Sequence, residues 1–229
     1  MSEDAPEFLR SYGRRRGRKL SETRARTLDS GLARFALRLP DDGTLDWRAL
    51  FPAARAPSLQ ALWLEIGFGG GEHLAAQAAA HRDIGFIGCE PFIDGLAALC
   101  ARIESLGLDN VRIWPEDARE VVARLPDGAV SRAFILFPDP WPKARHHKRR
   151  LIQPAFLDAL ARVLAPAAEL RVATDDVAYL EHILEVLPPH PAFALRAKGE
   201  RPADAPETRY EAKARAAGRA PVYLQFERA

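Results

Sequence analysis

The fourteen residues FPDPWPKARHHKRR, Phe137 to Arg150, set one carboxylate between two prolines, follow it with a tryptophan and end in a run of positive charge. Pro138 and Pro140 each fix their own φ and restrict the residue before them, so the turn is stiff and Asp139 is held in one pose. A fixed carboxylate favours a reaction in which positive charge grows nearby. Trp141 can stack on a base, wall a pocket or pack. Lys143, Arg145, Lys148, Arg149 and Arg150, interleaved with His146 and His147, suit a phosphate backbone and would position it rather than read its sequence. The adjacent histidines point in different directions, and no metal site is expected from them.

A second cluster precedes this one. In LEIGFGGG, Leu64 to Gly71, the glycines Gly67, Gly69 and Gly71 permit a tight turn and close approach of backbone to a ligand. The spacing is neither the dinucleotide fingerprint nor a phosphate-binding loop ending in GK[ST]. Glu65 lies inside the preceding apolar run, where a carboxylate needs a partner such as an amine. Glu90 ends the next apolar run, about 20 residues on, where an acid grips ribose hydroxyls in nucleoside-binding α/β proteins. Asp117 or its neighbour Ala118 is placed to meet an adenine, although Asp117 also suits a helix cap. Three acids fit a cationic nucleoside better than a pyrophosphate, which points to S-adenosylmethionine (SAM). Further on, Asp175 would approach Asp139 if their strands are neighbours, and Asp176 can cap the following helix. Thr208, Arg209, Tyr210 and Glu211 offer either a substrate contact or a Thr-x-x-Glu capping box.

These residues have to be positioned by something, and the pattern from Leu59 onward supplies it. Short apolar runs at 61–66, 84–90, 110–114, 130–137 and 169–175 alternate with helical periodicity at 72–81, 93–105, 118–125, 152–164 and 177–187. Two more candidate strands follow at 192–198 and 221–228, joined by a polar connection and able to pair antiparallel at the sheet edge. The expected fold class is α/β: a Rossmann-like, mostly parallel seven-stranded sheet with a C-terminal antiparallel strand. Residues 1–26 read as a flexible Arg-rich N-terminal arm, and 27–229 as a single α/β domain with a helical lead-in near LDSGLARFAL.

The bulk numbers exclude more than they assign. A chain of 229 residues with 48% apolar content supports one sizeable domain. The net charge of +2 is small, so the basic clusters matter more than the total. Two cysteines, Cys89 and Cys100, with no CxxC pair argue against a disulfide framework and a cysteine zinc site. The acidic-then-basic start is unlike a signal peptide, and no apolar stretch approaches a membrane span. A cytoplasmic protein with no membrane association and no obligate protein partner is expected.

The strings LEIGFGGGEHL, FIGCEPF, FPDPWPKARHHKRRL, TD at 174–175 and TRYE at 208–211, with the acid at Asp117, resemble the bacterial tRNA (guanine-N7-)-methyltransferase family. The resemblance implies a class I SAM-dependent methyltransferase that methylates N7 of guanine in tRNA, at position 46 of the variable loop. It implies that Glu65, Glu90, Asp117 and Asp139 contact SAM, with Asp139 catalytic. Lys143, Asp175, Thr208 and Glu211 are then substrate contacts, and the string after Lys143 meets tRNA. Three positions depart from the family pattern: Cys89 for an aliphatic residue, Asp176 for an aromatic one, and RYE for KFE. Competing readings are a SAM enzyme acting on an amine of another nucleobase or a protein, an RNA-binding protein on an inactive scaffold, and a nicotinamide dehydrogenase.

Overall fold

The computed structural model describes residues 15–17 and 19–229. Most of the arginine-rich arm, residues 1–14 and Arg18, lies outside the described residues. After α1 (Glu22–Phe35) the strands β1 (Ala61–Ile66), β2 (Ile84–Cys89), β3 (Val111–Trp114), β4 (Val130–Leu136) and β5 (Leu164–Thr174) alternate with α2 (Glu72–Ala80), α3 (Ile93–Ser105), α4 (Ala118–Arg124) and α5 (Pro154–Val163). The chain closes with α6 (Val177–Val186), β6 (Phe193–Gly199), α7 (Arg209–Ala216) and β7 (Val222–Arg228). All seven strands join one sheet in the order β3-β2-β1-β4-β5-β7-β6. β1 to β5 pair in parallel, and β7 runs antiparallel to both of its neighbours. The mostly parallel α/β sheet follows the expectation. The last two strands pair antiparallel at the sheet edge, as expected, with β7 next to β5 and β6 outermost.

The period-two alternation of the strands divides the core between the two faces of the sheet. Leu62, Leu64 and Ile66 of β1 join Val121, Phe156, Tyr179 and Ile183 on the face covered by α4, α5 and α6. Trp63 joins Phe35, Leu74 and Leu99 on the opposite face, under α1, α2 and α3. Full burial of each such side chain contributes roughly 1.5–3 kcal/mol. The same alternation sends Glu65 to the α2 face, beside His73. Strand order reverses between β1 and β4, and that reversal opens a crevice at the carboxyl ends of the strands.

Three boundaries differ from the sequence reading. The arm boundary at residue 26 falls inside α1, which starts at Glu22. Ser21 caps it by accepting the Arg24 N–H, Glu22 suits the positive helix end, and Phe35 and Gly31 are buried. β5 begins at Leu164, carried past an irregularity in its pairing with β4 near Ala167, whose φ is 62°. The polar connection before β7 contains α7, whose only forewarning was the capping box at Thr208. Among the described residues no helix is long and apolar enough to cross a membrane.

Candidate active site

A cleft of about 430 Å³ opens at the strand-order reversal, within the range of about 300–1,000 Å³ common for small-molecule sites. Most of the lining begins where a parallel strand ends. The loop after β1 brings Gly67 and Gly69, the end of β2 brings Glu90 and Phe92, the loop before α4 brings Glu116, Asp117 and Ala118, and the turn after β4 brings Asp139 and Trp141. Arg149 and Tyr210 complete it.

The glycine loop has its shape for two reasons. Gly67, Gly69 and Gly71 have φ of 75°, 54° and 73°, a region that favours glycine. Space is also short: a Cβ on Gly69 would lie 2.8 Å from the Tyr210 ring, and one on Gly95 would lie 2.1 Å from the Gly69 carbonyl oxygen. The first turn of α3 thus presses on the loop, a constraint with no signal in the sequence.

Glu90 ties this loop to the end of β2, accepting the Gly69 N–H at 2.8 Å and the Phe92 N–H at 3.0 Å. Burial pushes its carboxyl above the usual range and outweighs the two N–H donors, with Asp139 and Glu65 adding repulsion. Glu65 lies beneath the wall and not in it. Its Oε2 is 2.6 Å from His73 Nδ1, and both side chains are buried. Asp117 caps α4, accepting the Arg119 N–H at 2.9 Å and the Arg119 guanidinium at 2.9 Å, and it still lines the cleft with Ala118.

The proline-clamped turn is strained at both ends. Phe137 has φ 54° and Trp141 has φ 46°, conformations that cost about 1–3 kcal/mol each and persist only when surrounding contacts hold them. The Phe137 N–H donates to the Ala173 carbonyl at 2.8 Å. Asp139 is exposed at the cleft mouth, yet loss of surrounding water pushes its carboxyl above the usual range. The Trp141 ring lies edge-on to His146 at 5.8 Å and under the Arg149 guanidinium at 5.0 Å.

The basic segment divides by exposure. Lys143, Arg145 and Lys148 face solvent, around a 3-10 turn over Ala144–Arg149. Desolvation, then repulsion by Arg149, Arg145 and Lys143, hold His146 below its ordinary value. The His147 carbonyl accepts from Gln153 at 3.1 Å. Arg150 corrects the sequence reading. It is buried, with its Nε donating to the Pro140 carbonyl at 2.9 Å, and it is not presented to RNA.

The expected substrate contacts are only partly gathered. Tyr210 joins the cleft as an exposed aromatic, with the Arg209 guanidinium 5.9 Å from its ring. Lys143 lies outside the lining, and Asp175 pairs with Arg219 at 2.6 Å. Thr208 is the α7 cap, accepting the Glu211 N–H at 3.1 Å. Glu211 is fully buried among Arg201, Arg215 and the Tyr223 hydroxyl, at 3.1, 2.9 and 2.9 Å. Asp176 caps α6 through the Tyr179 N–H. Sequence reasoning missed Phe92 and Glu116, which lie within three residues of the ends of β2 and β3, and Arg119, in the first turn of α4. Glu116 also pairs with Arg15, whose carbonyl accepts the Ile93 N–H at 3.1 Å, so the described part of the arm reaches the cleft rim.

The arrangement can hold a cationic nucleoside among acids and bring a base against a fixed carboxylate. A family model described as "Putative methyltransferase" matches residues 59–224. The chain is 53% identical over 236 residues to a tRNA (guanine-N(7)-)-methyltransferase of Rhodospirillum rubrum, covering 100% of this chain and 91% of that protein. It is 46% identical to the protein of the same name from Paramagnetospirillum magneticum, covering 98% and 94%. Among solved structures, the 16S rRNA methyltransferase KamB superposes with a TM-score of 0.57 at 16% identity, covering 85% of this chain and 99% of that one. An antibiotic-related methyltransferase superposes at 0.56 with 19% identity, covering 83% and 98%. These two likenesses concern the fold.

Proposed function

The chain belongs to the tRNA (guanine-N7-)-methyltransferase family, and from that premise we propose that it transfers a methyl group from SAM to N7 of a guanine in tRNA, at position 46 of the variable loop. SAM is the methyl donor that family membership and fold imply, and the residues present fit it. The cleft has room for a nucleoside, Glu90 and Asp117 line it and would meet a ribose and a base, and the backbone at Gly67 leaves open space. The hydrogen bonds that Glu90 accepts from Gly69 and Phe92 fix its carboxylate at the cleft wall.

When bound, SAM supplies an electrophilic methyl on a sulfonium. Guanine N7 has a lone pair and no proton, so the chain needs no general base. Its work is alignment and electrostatics. Asp139, held by the strained turn, would face the ring as that ring gains positive charge. Its raised carboxyl value reflects a charge short of water, which a cationic partner satisfies. Tyr210, exposed at the cleft, would stack on the purine, and the exposed Lys143, Arg145 and Lys148 would meet phosphates. Glu65, engaged by His73, would act at the amino end of SAM only by sharing its carboxylate. Glu211 and Thr208 would support the purine side by fixing α7. A tRNA substrate supports a cytoplasmic location.

The observation that carries this reading is the convergence of Glu90, Asp117 and the proline-clamped Asp139 on one cleft at the strand-order reversal. Incubation with unmodified tRNA and methyl-labelled SAM, followed by nucleoside analysis, tests it. Label in 7-methylguanosine is expected. Label on an exocyclic amine would favour an amino-methyltransferase, and no label would favour a binding protein.

A further inference from the structure

We propose that Arg150 is a positioning residue for methyl transfer, holding the Asp139 turn by its backbone and leaving RNA to its neighbours. The inference rests on the function proposed above and deepens it. Arg150 ends a basic run whose other members include the solvent-facing Lys148 and Arg145, but the fold turns it inward to 2% exposure. Its Nε donates to the Pro140 carbonyl at 2.9 Å, and its guanidinium lies 5.1 Å from the Tyr179 ring centre. Tyr179 is itself fully buried on α6, where its hydroxyl accepts the Ile152 N–H at 3.3 Å. Arg150 is thus fixed between the helix that packs the core and the turn that carries the carboxylate.

Two physical arguments favour positioning over packing. A buried guanidinium is costly, and among the described residues no carboxylate forms an ion pair with Arg150. Its Nη2 is buried without a hydrogen-bond partner among the described residues, so an apolar side chain would fill the same space at less cost, and what distinguishes Arg150 is the Nε donor it brings to Pro140. The turn also cannot hold itself together, because Pro138 and Pro140 have no N–H. Hydrogen bonds anchor it on each side of Asp139: Phe137 N–H to Ala173, and Arg150 to Pro140. Left-handed Phe137 and Trp141 bracket the same span and would relax without an anchor.

The test uses full-length Arg150→Ala and Arg150→Lys with unmodified tRNA and SAM. In both, kcat is expected to fall at least tenfold. The tRNA Kd, KM and salt slope stay within twofold of the parent, since no phosphate contact is lost. Methylguanidinium added to Arg150→Ala, against matched sodium chloride, restores part of kcat and leaves the parent unaffected. If Arg150→Ala does not fold, Arg150→Lys is read alone with the same expected split between kcat and tRNA affinity. A preserved kcat overturns the inference, as does a fall in tRNA affinity and salt slope of the size that one lost phosphate contact produces. A kcat loss matched by an equal loss of folded protein or of SAM binding overturns it too. Asp139→Asn is run alongside. Full turnover there removes the reading on which this inference rests, whereas an inactive Asp139→Asn beside a fully active Arg150→Lys removes the inference alone.

Discussion

A carboxylate that loses water without gaining a donor prefers to be neutral, and Asp139 is in that position. Its raised value means that its contribution to stability is fully present below the ordinary carboxylate value and is lost as pH rises through the raised one. Asp139→Asn should therefore raise Tm at neutral pH, leave Tm unchanged below about pH 3.5, and cut turnover about a hundredfold or more. Calorimetry at the two pH values, with rates on the same samples, checks this; a lower Tm at pH 7 would contradict the assignment of strain. Residues ending a strand, such as Glu90, Asp117 and Asp139, were legible because a parallel sheet delivers strand ends to one edge. Arg150 and Glu211 were not. A charged residue type argues for exposure, and only the path of the chain turns these two inward, one under the proline turn and one against Tyr223.

At the scale of elements, α3 and α7 do the positioning. Gly95→Ala would drive a methyl against the Gly69 carbonyl, so α3 and the glycine loop must move apart. Such overpacking costs about 1–3 kcal/mol. The expected result is a Tm lower by several degrees and a SAM Kd about tenfold higher, measured by calorimetric titration; unchanged SAM binding would show that the loop does not depend on α3. Thr208→Ala removes the α7 cap and should cost about 1 kcal/mol in denaturant unfolding. Because α7 carries Tyr210, KM for tRNA should rise with kcat less affected. The periodic elements were legible from β1 to α6, where apolar spacing dictates both type and face. α7 was not, because only Glu211 and Ala214 among its residues are buried and no apolar stripe marks it. The early start of α1 was hidden by arginines that the helix carries on its exposed side, with Arg24 donating to the Asp94 carbonyl at 3.0 Å.

For the whole molecule, a net charge of +2 says little about RNA, whereas the placement of the positive charge says a good deal. Lys143, Arg145 and Lys148 stand exposed beside the cleft that holds the acids, so under the proposed function phosphate contacts and chemistry would share one edge of the sheet. Arg145→Gln with Lys148→Gln should flatten the plot of log Kd for tRNA against log salt by about 1–2 units. An unchanged slope would move the RNA path elsewhere. The mostly parallel pairing and the position of the crevice were readable from alternating runs and the rule for reversed strand order. The insertion of β7 between β5 and β6 was not, because the sequence of the last strands permits either edge arrangement. The central claim is that this edge presents a guanine N7 lone pair to the methyl donor. Its most direct test is a tRNA transcript carrying 7-deazaguanosine in place of guanosine, which lacks that lone pair. The account predicts unchanged tRNA binding and no methyl transfer; continued transfer to the deaza transcript would contradict it.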